Sequence, residues 1–399
     1  MSFIHSEKEQ VALLIDVGNS VVTSSLVAFN GESLPKFLCS YETPFVISER
    51  PDATRLVESL MTTLDAQMVV MMKSCFNHKY WQGKRNRINS ALISFSSPWF
   101  VFKTKHILIT NEKDFIISEN FLNEVTSKEE NLFKTELANN TEDQFEIIEK
   151  SLIHTKINGY SLNSIVGKKT KNLEAFLCLS ALDKGILERV FNTVSRYSHI
   201  PNQNIAVHTF PLVSFAVVRD NFETSGEFIV MDVTGDVTDL TLVQNSIIMQ
   251  TVSMPSGRNF LIRQICRTFD VSVEIAESML HMFNTDKIDD DQKLKMEELL
   301  TLVEKEWAIY FENALLELSP TLSLPTNVYL MSESDVARIY QEFLKLQKLD
   351  ATSMFRKNIK VKIIDENALA TFIENQSTSK IDEFSSVLAL FYKKLINTR

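Results

Sequence analysis

Two stretches of the chain share one pattern: an apolar run, an acid, a short polar turn and a second apolar run. In the first, Val11-Ala-Leu-Leu-Ile15 leads to Asp16, Gly18, Asn19 and Ser20, and Val21 to Val27 follows. In the second, Phe228-Ile-Val-Met231 leads to Asp232, Gly235, Thr238 and Asp239, and Leu240 to Val243 follows. Short β-branched runs on either side of a turn predict β-hairpins. A lone Asp after a strand is an ordinary turn former. Its recurrence about half a chain later predicts a duplicated fold with two loops that serve one ligand. Such a turn offers backbone N–H groups and hydroxyls to an anion, and the strand-end acid suits a hydrated divalent cation.

The pattern elsewhere alternates between the two periods. Residues 11 to 48 read as strands, and Leu56, Leu60, Leu64 and Met68 have helical spacing between Asp52 and Phe76. Ala91 to Phe95 and Val101 to Ile109 are strands around a Ser-Pro turn. A strand, helix, strand, strand rhythm then runs from Lys105 to Leu177. Ser118 caps a helix over Glu119 to Glu130, and strands cover Phe145 to Ile157 and Asn172 to Leu179. Leu187 to Tyr197 is helical, Asn204 to His208 is a strand, and Pro211 starts a helix to Ala216. Ser246 to Ser253 is a strand ending in the turn Met254-Pro-Ser-Gly257. Helices follow at Val271 to Phe283 and Leu294 to Leu318, the second stopped by Ser319-Pro320 and carrying Trp307 and Tyr310 on a core stripe. Asn327 to Met331 and Ile359 to Ile364 are strands, and Ser385 to Leu395 is a helix that suits a core or, with Lys393 and Lys394, a membrane surface.

With 399 residues and 44% hydrophobic content, the chain is long enough for two cores. The net charge of −10 excludes a nucleic-acid binder, whose phosphate contacts need concentrated Lys and Arg. The one basic cluster, Lys79 to Arg87 around Trp81, reads as a solvated loop. Cys39, Cys75, Cys178 and Cys266 show neither metal-ligand nor disulfide spacing, which fits a reducing cytoplasm, and the seven histidines lack metal-ligand spacing. Asp16 interrupts the first apolar run before it reads as a secretion signal, and no run is long enough to span a bilayer. Gly167-Lys168 is not a Walker A loop, because the glycine needed five positions earlier is Leu162.

Together the two hairpins resemble those of the actin-like ATPase superfamily, most closely its FtsA and PilM branch, and the similarity runs through nearly the whole chain. It implies an α/β, ribonuclease H-like duplicated fold of two domains with an inserted strand-helix-strand-strand subdomain. Residues 1–104 and 178–209 would form the first domain, 105–177 the insertion, and 210–399 the second, with a helical region at about 258–320 and a last helix at 385–395. Asp16, Gly18, Asn19 and Ser20, with Asp232, Gly235, Thr238 and Asp239, then match the two phosphate clamps for ATP. Asp16 and Asp232 match the acids beside Mg2+, and Gly257, Glu277, Ser332 and Glu333 match the nucleoside side. The sequence departs from the family at Thr234 and Asp236, two glycine positions, and at Val237, a threonine position. Ser256 and the Ser332-Glu333 pair also replace glycines, and Leu280 replaces a lysine. Glycine lets a backbone approach a ligand closely, and a carboxylate at Asp236 repels a polyphosphate. The expectation is a weak or lost ATPase, and no catalytic residue is assigned.

The resemblance leaves three functions. The first is a PilM-like cytoplasmic scaffold of type IV pilus assembly, its insertion holding the cytoplasmic tail of a membrane protein, so that membrane contact is indirect. The second is an FtsA-like division protein that self-associates and recruits the division tubulin homologue. The third is an active ATPase or sugar-kinase-like enzyme. An FtsA-like chain carries a linker and amphipathic helix after its last core helix, whereas this sequence ends shortly after Leu395, and the missing glycines weigh against the enzyme. The scaffold is favoured, with no nucleic-acid partner.

Overall fold

The computed structural model describes residues 9–45, 53–76, 79–81, 87–140, 144–162, 164–318, 324–349, 357–377 and 379–397. The first part holds β1 (Gln10–Val17), β2 (Val21–Phe29), β3 (Lys36–Pro44), α1 (Ala53–Cys75) and β4 (Ser90–Phe95). The insertion holds β5 (Phe100–Ile116), α2 (Glu119–Asn140), β6 (Phe145–Ile157), β7 (Tyr160–Ser161) and β8 (Lys169–Asp183). Then come α3 (Lys184–Ser198), β9 (Ile205–Thr209) and α4 (Phe210–Asn221). The second part runs β10 (Phe228–Val233), β11 (Thr238–Gln244), β12 (Ile247–Met254), α5 (Arg258–Phe269), α6 (Val273–Asn284), α7 (Asp290–Leu318), β13 (Asn327–Ser332) and α8 (Ala337–Leu346). It closes with β14 (Lys348–Leu349), β15 (Lys357–Asn358), β16 (Lys360–Ile363), α9 (Glu366–Leu369), β17 (Glu374–Asn375) and α10 (Glu383–Asn397).

The duplication is visible in strand order. One sheet runs β17-β3-β2-β1-β4-β9 and the other β12-β11-β10-β13-β16. In each, the hairpin strands pair antiparallel (β1 with β2, β10 with β11), and the hairpin's first strand pairs parallel with the next strand on its other side (β1 with β4, β10 with β13). Such strands are covered on both faces and read as near-continuous apolar runs, as Val11 to Ile15 and Phe228 to Met231 do. Leu13 and Ile15 pack with Leu60 and Leu64 of α1 and Val190 of α3, and Met231 and Val233 pack with Ile265 of α5 and Trp307 of α7. Leu14 and Val230 point to the opposite faces, against Phe215 of α4 and Leu388 of α10. The layers are therefore helix, sheet, helix, sheet, helix, with α4 and α10 in the middle.

The last helix is a core element, not a membrane one: every residue from Glu383 to Tyr392 is buried. Trp307 is fully buried, as the core stripe predicts. The inserted lobe has its own sheet, β5-β8-β6-β7, and its own apolar clusters around Leu177 and Ile157. Other expectations need correction. The inserted helix runs on to Asn140, and its first strand on to Ile116. The helical region expected from about 258 begins with α5 at Arg258, whereas α8 was not expected. Trp81 is buried against Phe76 and Tyr80 and does not belong to a solvated loop. Cys39 is disulfide-bonded, against the expectation from spacing, whereas Cys178 and Cys266 are free thiols. Residues 46–48, the core of the basic cluster at 82–86, and Ser319-Pro320 lie outside the described residues.

Candidate functional site

Alternation along the strands aims the acids. Asp16 falls on the side of β1 that carries Ala12 and Leu14, and Asp232 on the side of β10 that carries Phe228 and Val230. Both carboxylates thus enter the space between the sheets, each about 4% exposed. Asp239 stands opposite Asp232 across the β10/β11 ladder. The two hairpin tips meet there. Asn19 donates from Nδ2 to Thr234 Oγ1 at 2.9 Å and to the Ser97 carbonyl at 2.8 Å, and its Oδ1 accepts the Asp236 N–H at 2.8 Å. A Cβ on Gly235 would lie 2.1 Å from Ser20 Cβ. Glycine is required at this position for close approach of the two turns, since Gly235 has no positive φ. Gly257 closes the turn from behind: a Cβ there would meet the Thr234 and Gly235 carbonyl oxygens at 2.1 and 2.4 Å. Thr238 Oγ1 donates to the Ser256 carbonyl at 2.6 Å, and Trp99 Nε1 to the Gly18 carbonyl at 2.7 Å.

Asp236 departs from its expected role. Its carboxylate is held by α5: Oδ1 accepts from Arg263 at 2.6 Å and Oδ2 from Asn259 at 3.4 Å. The side chain is neutralised locally, and only its backbone N–H reaches the first hairpin.

Beneath the joined tips the site is acidic. Ser94 Oγ donates to Asp16, and Ser253 Oγ donates to Asp239 at 2.5 Å with the Ser97 N–H at 3.3 Å. Neither carboxylate oxygen of Asp232 has a partner. Helix α10 enters with its N-terminus here: Asp382 accepts the Ser385 N–H at 2.7 Å as a cap, and Glu383 is buried beside it. Burial pushes Asp16 up to about 7, against the Ser94 bond and helped by Asp382. Burial, then the charges of Asp239, Asp16 and Glu383, hold Asp232 well above the carboxylate range. Asp239 is raised by burial.

The residues expected on the nucleoside side converge on a cation that sequence reasoning missed. Arg258 binds Glu277 at 2.9 Å, Glu333 at 3.0 Å and Asp335 at 2.7 Å. Burial pushes Glu333 up to about 7 against the pull of Arg258. Ser332 is buried at the end of β13. Of the expected residues, the structure brings the two phosphate-clamp sets together and ties Glu277 to Glu333 through Arg258. It adds Asn19's partners Ser97 and Thr234, and the acids Asp335, Asp382 and Glu383.

Asp232, whose two buried carboxylate oxygens lack partners, is the side chain that would hold a divalent cation. No group of three or more His, Cys, Asp or Glu side chains encircles one point among the described residues, so water would complete the sphere. A polyphosphate does not fit this arrangement. The turns that would flank it touch each other, and the floor carries buried acids.

No family model and no curated protein matches the sequence. Among solved structures, the chain is similar to a PilM-PilN type IV pilus biogenesis complex, with a TM-score of 0.58 at 12% identity over 96% of this chain and 98% of that one. It matches more loosely the ethanolamine utilization protein EutJ from Carboxydothermus hydrogenoformans, with a TM-score of 0.44 at 12% identity over 90% and 87% of the two chains. A Bacteroides thetaiotaomicron protein described as having an actin-like ATPase fold gives 0.38 at 12% identity, over 98% of each chain. Two sheets of matching order, an inserted lobe and paired Asp hairpins across one cleft identify the architecture: this chain has the actin-like ATPase fold.

Proposed function

We propose that this chain is a scaffold of an envelope-associated assembly, in which the ancestral nucleotide cleft has become a structural joint and the inserted lobe, residues 105–177, takes a protein partner. The observation that carries the reading is the direct contact of the two hairpin tips through Asn19. In an actin-like ATPase those tips would be held apart by the phosphates between them, so their mutual hydrogen bonding replaces the ligand as the link between the halves. The lobe supports the second half of the reading. It leaves Leu108, Ile116, Tyr160 and Val166 exposed, at 68%, 64%, 77% and 46%, apolar surface open to a partner. The similarity to a PilM-PilN complex favours a protein partner, and a membrane protein's cytoplasmic tail is the class we infer. Among the described residues no helix is long and apolar enough to cross a membrane, so membrane contact would come through that partner.

A second reading, an ATPase whose cleft opens to admit Mg-ATP, is favoured by the unbonded Asp232 carboxylate. Sedimentation velocity on the full chain, with and without Mg-ATP, separates the two. The scaffold reading expects the same shape and oligomeric state in both. Nucleotide-dependent compaction or polymerisation would support the second. Retention of a membrane protein by the chain, lost when residues 105–177 are deleted, tests the lobe.

A further inference from the structure

We propose that the outer edge of β6, from Lys150 to His154, binds an extended peptide segment as an added strand of the lobe's sheet. This rests on the reading of the lobe as the partner-binding element and specifies where on it, and how, the partner binds. In the order β5-β8-β6-β7, β6 is covered on its outer side only by the two residues of β7, which pair with Lys156 and Ile157. The Thr155 carbonyl takes the Leu162 N–H at 3.1 Å. Toward Lys150, no backbone hydrogen bond reaches that side among the described residues. An open strand edge of this kind offers alternating donors and acceptors that only another extended backbone satisfies.

The lobe's other edge is protected. β5 carries Lys103, Lys105 and Lys113, charges of the type that blunt an edge against pairing, whereas Ser151-Leu-Ile-His-Thr155 carries no Lys, Arg, Asp or Glu and no Pro. A bulge between Leu152 and His154 turns Ile153 inward against the interdomain core and leaves Leu152 outward, 37% exposed.

Two cavities lie along this edge and meet at Leu152, which lines both. One, of about 350 Å³, is bounded by Leu152, His154, Leu162 and Val166. The other, of about 320 Å³, is bounded by Leu152, Lys150 and the α2 residues Glu119, Leu122, Asn123 and Thr126. On an added strand, alternate side chains leave the same face about 6.6 to 7 Å apart. The occupant is therefore an extended segment with an apolar and a polar residue two positions apart, its backbone paired to β6, the apolar side chain in the first cavity and the polar one in the second.

The probe is a random twelve-residue peptide display library selected on the full chain, with enriched peptides resynthesised and titrated by fluorescence anisotropy. The expected result is enrichment of an apolar and a polar residue two positions apart, with affinity lowered at least tenfold by Leu152→Arg and by N-methylation of the peptide amide between the pair. Amide exchange at Leu152 to His154 should slow on binding, and Leu108→Arg should change nothing. An unchanged unfolding midpoint for Leu152→Arg, a half-exposed position, keeps its loss of binding interpretable. Peptides whose binding responds to Leu108→Arg or Tyr160→Ala but not to Leu152→Arg would overturn the edge site and leave the lobe reading standing. Peptides that bind outside the lobe would overturn both. Failure to enrich any peptide, or self-pairing of the chain abolished by Leu152→Arg, would also overturn the proposal.

Discussion

Asn19, at the tip of the first hairpin, donates to Thr234, at the tip of the second, over 2.9 Å, and accepts the Asp236 N–H over 2.8 Å. One side chain thus connects two turns that belong to different sheets. Asn19→Ala removes both links and the bond to the Ser97 carbonyl, and leaves buried partners unsatisfied. It should cost about 1–3 kcal/mol in urea unfolding, and the Asp236 amide should lose its protection from hydrogen exchange. Thr234→Val should cost less, and the two losses should not add, because the substitutions share a contact.

Gly235 and Gly257 make opposite demands on a rescue experiment. Gly235→Ala collides with the Ser20 side chain and with Asn19 Oδ1, so Ser20→Gly should recover part of the lost stability. Gly257→Ala collides with backbone oxygens of Thr234 and Gly235, which no side-chain change removes. Each single variant should lose at least about 1–3 kcal/mol, and only the first should be rescued. Thermal unfolding of the three variants decides it.

The buried acids set a pH dependence. Burial holds Asp16 up at about 7 and keeps Asp232 well above the same ordinary value of 3.8. The folded state therefore binds protons more tightly than the unfolded one. That stabilisation is complete below the unfolded value and is lost as pH rises through 7. The unfolding midpoint should fall as pH rises from 5 through 7. Asp232→Asn removes a charge that has no partner, so it should stabilise the protein at pH 8.5 by about 1–3 kcal/mol and flatten the profile. Magnesium should raise the alkaline midpoint of the wild type and not that of Asp232→Asn.

Arg258→Met tests the network that fills the nucleoside side. Its removal leaves Glu277, Glu333 and Asp335 without their shared cation, a loss of about 3–5 kcal/mol for a broken buried pair. Because Glu333 titrates near 7, the loss should be smaller at pH 5.5 than at pH 8.5. Denaturant unfolding at the two pH values gives the difference.

The strands and acids of the hairpins were legible because they lie in short continuous segments, where an apolar run ends in Asp and alternation decides which face Asp16 and Asp232 take. The joint was not. Asn19 reads as a turn residue, and nothing local tells that its amide will bond a threonine 215 positions away. Asp236 misled for the same reason: a carboxylate in a phosphate turn predicts repulsion until Arg263 of α5 is placed beside it. Starting the last helix at Ser385 hid Asp382 and Glu383, although an acid pair before an apolar run is a helix-start signal. Arg258 follows Gly257 directly, yet its partners come from α6 and from the turn between β13 and α8, an element the apolar pattern did not reveal.

The central claim is that the cleft between the hairpins is a joint rather than a nucleotide site, and isothermal calorimetry of the full chain with Mg-ATP at neutral pH tests it most directly. The account predicts no saturable heat for the wild type, even at millimolar nucleotide. Asn19→Ala should behave likewise, because parting the tips still leaves Asp16, Asp232 and Asp239 facing the phosphates. Saturable micromolar binding of Mg-ATP by the unmodified chain would contradict the account and return the cleft to the role its fold has in an actin-like ATPase.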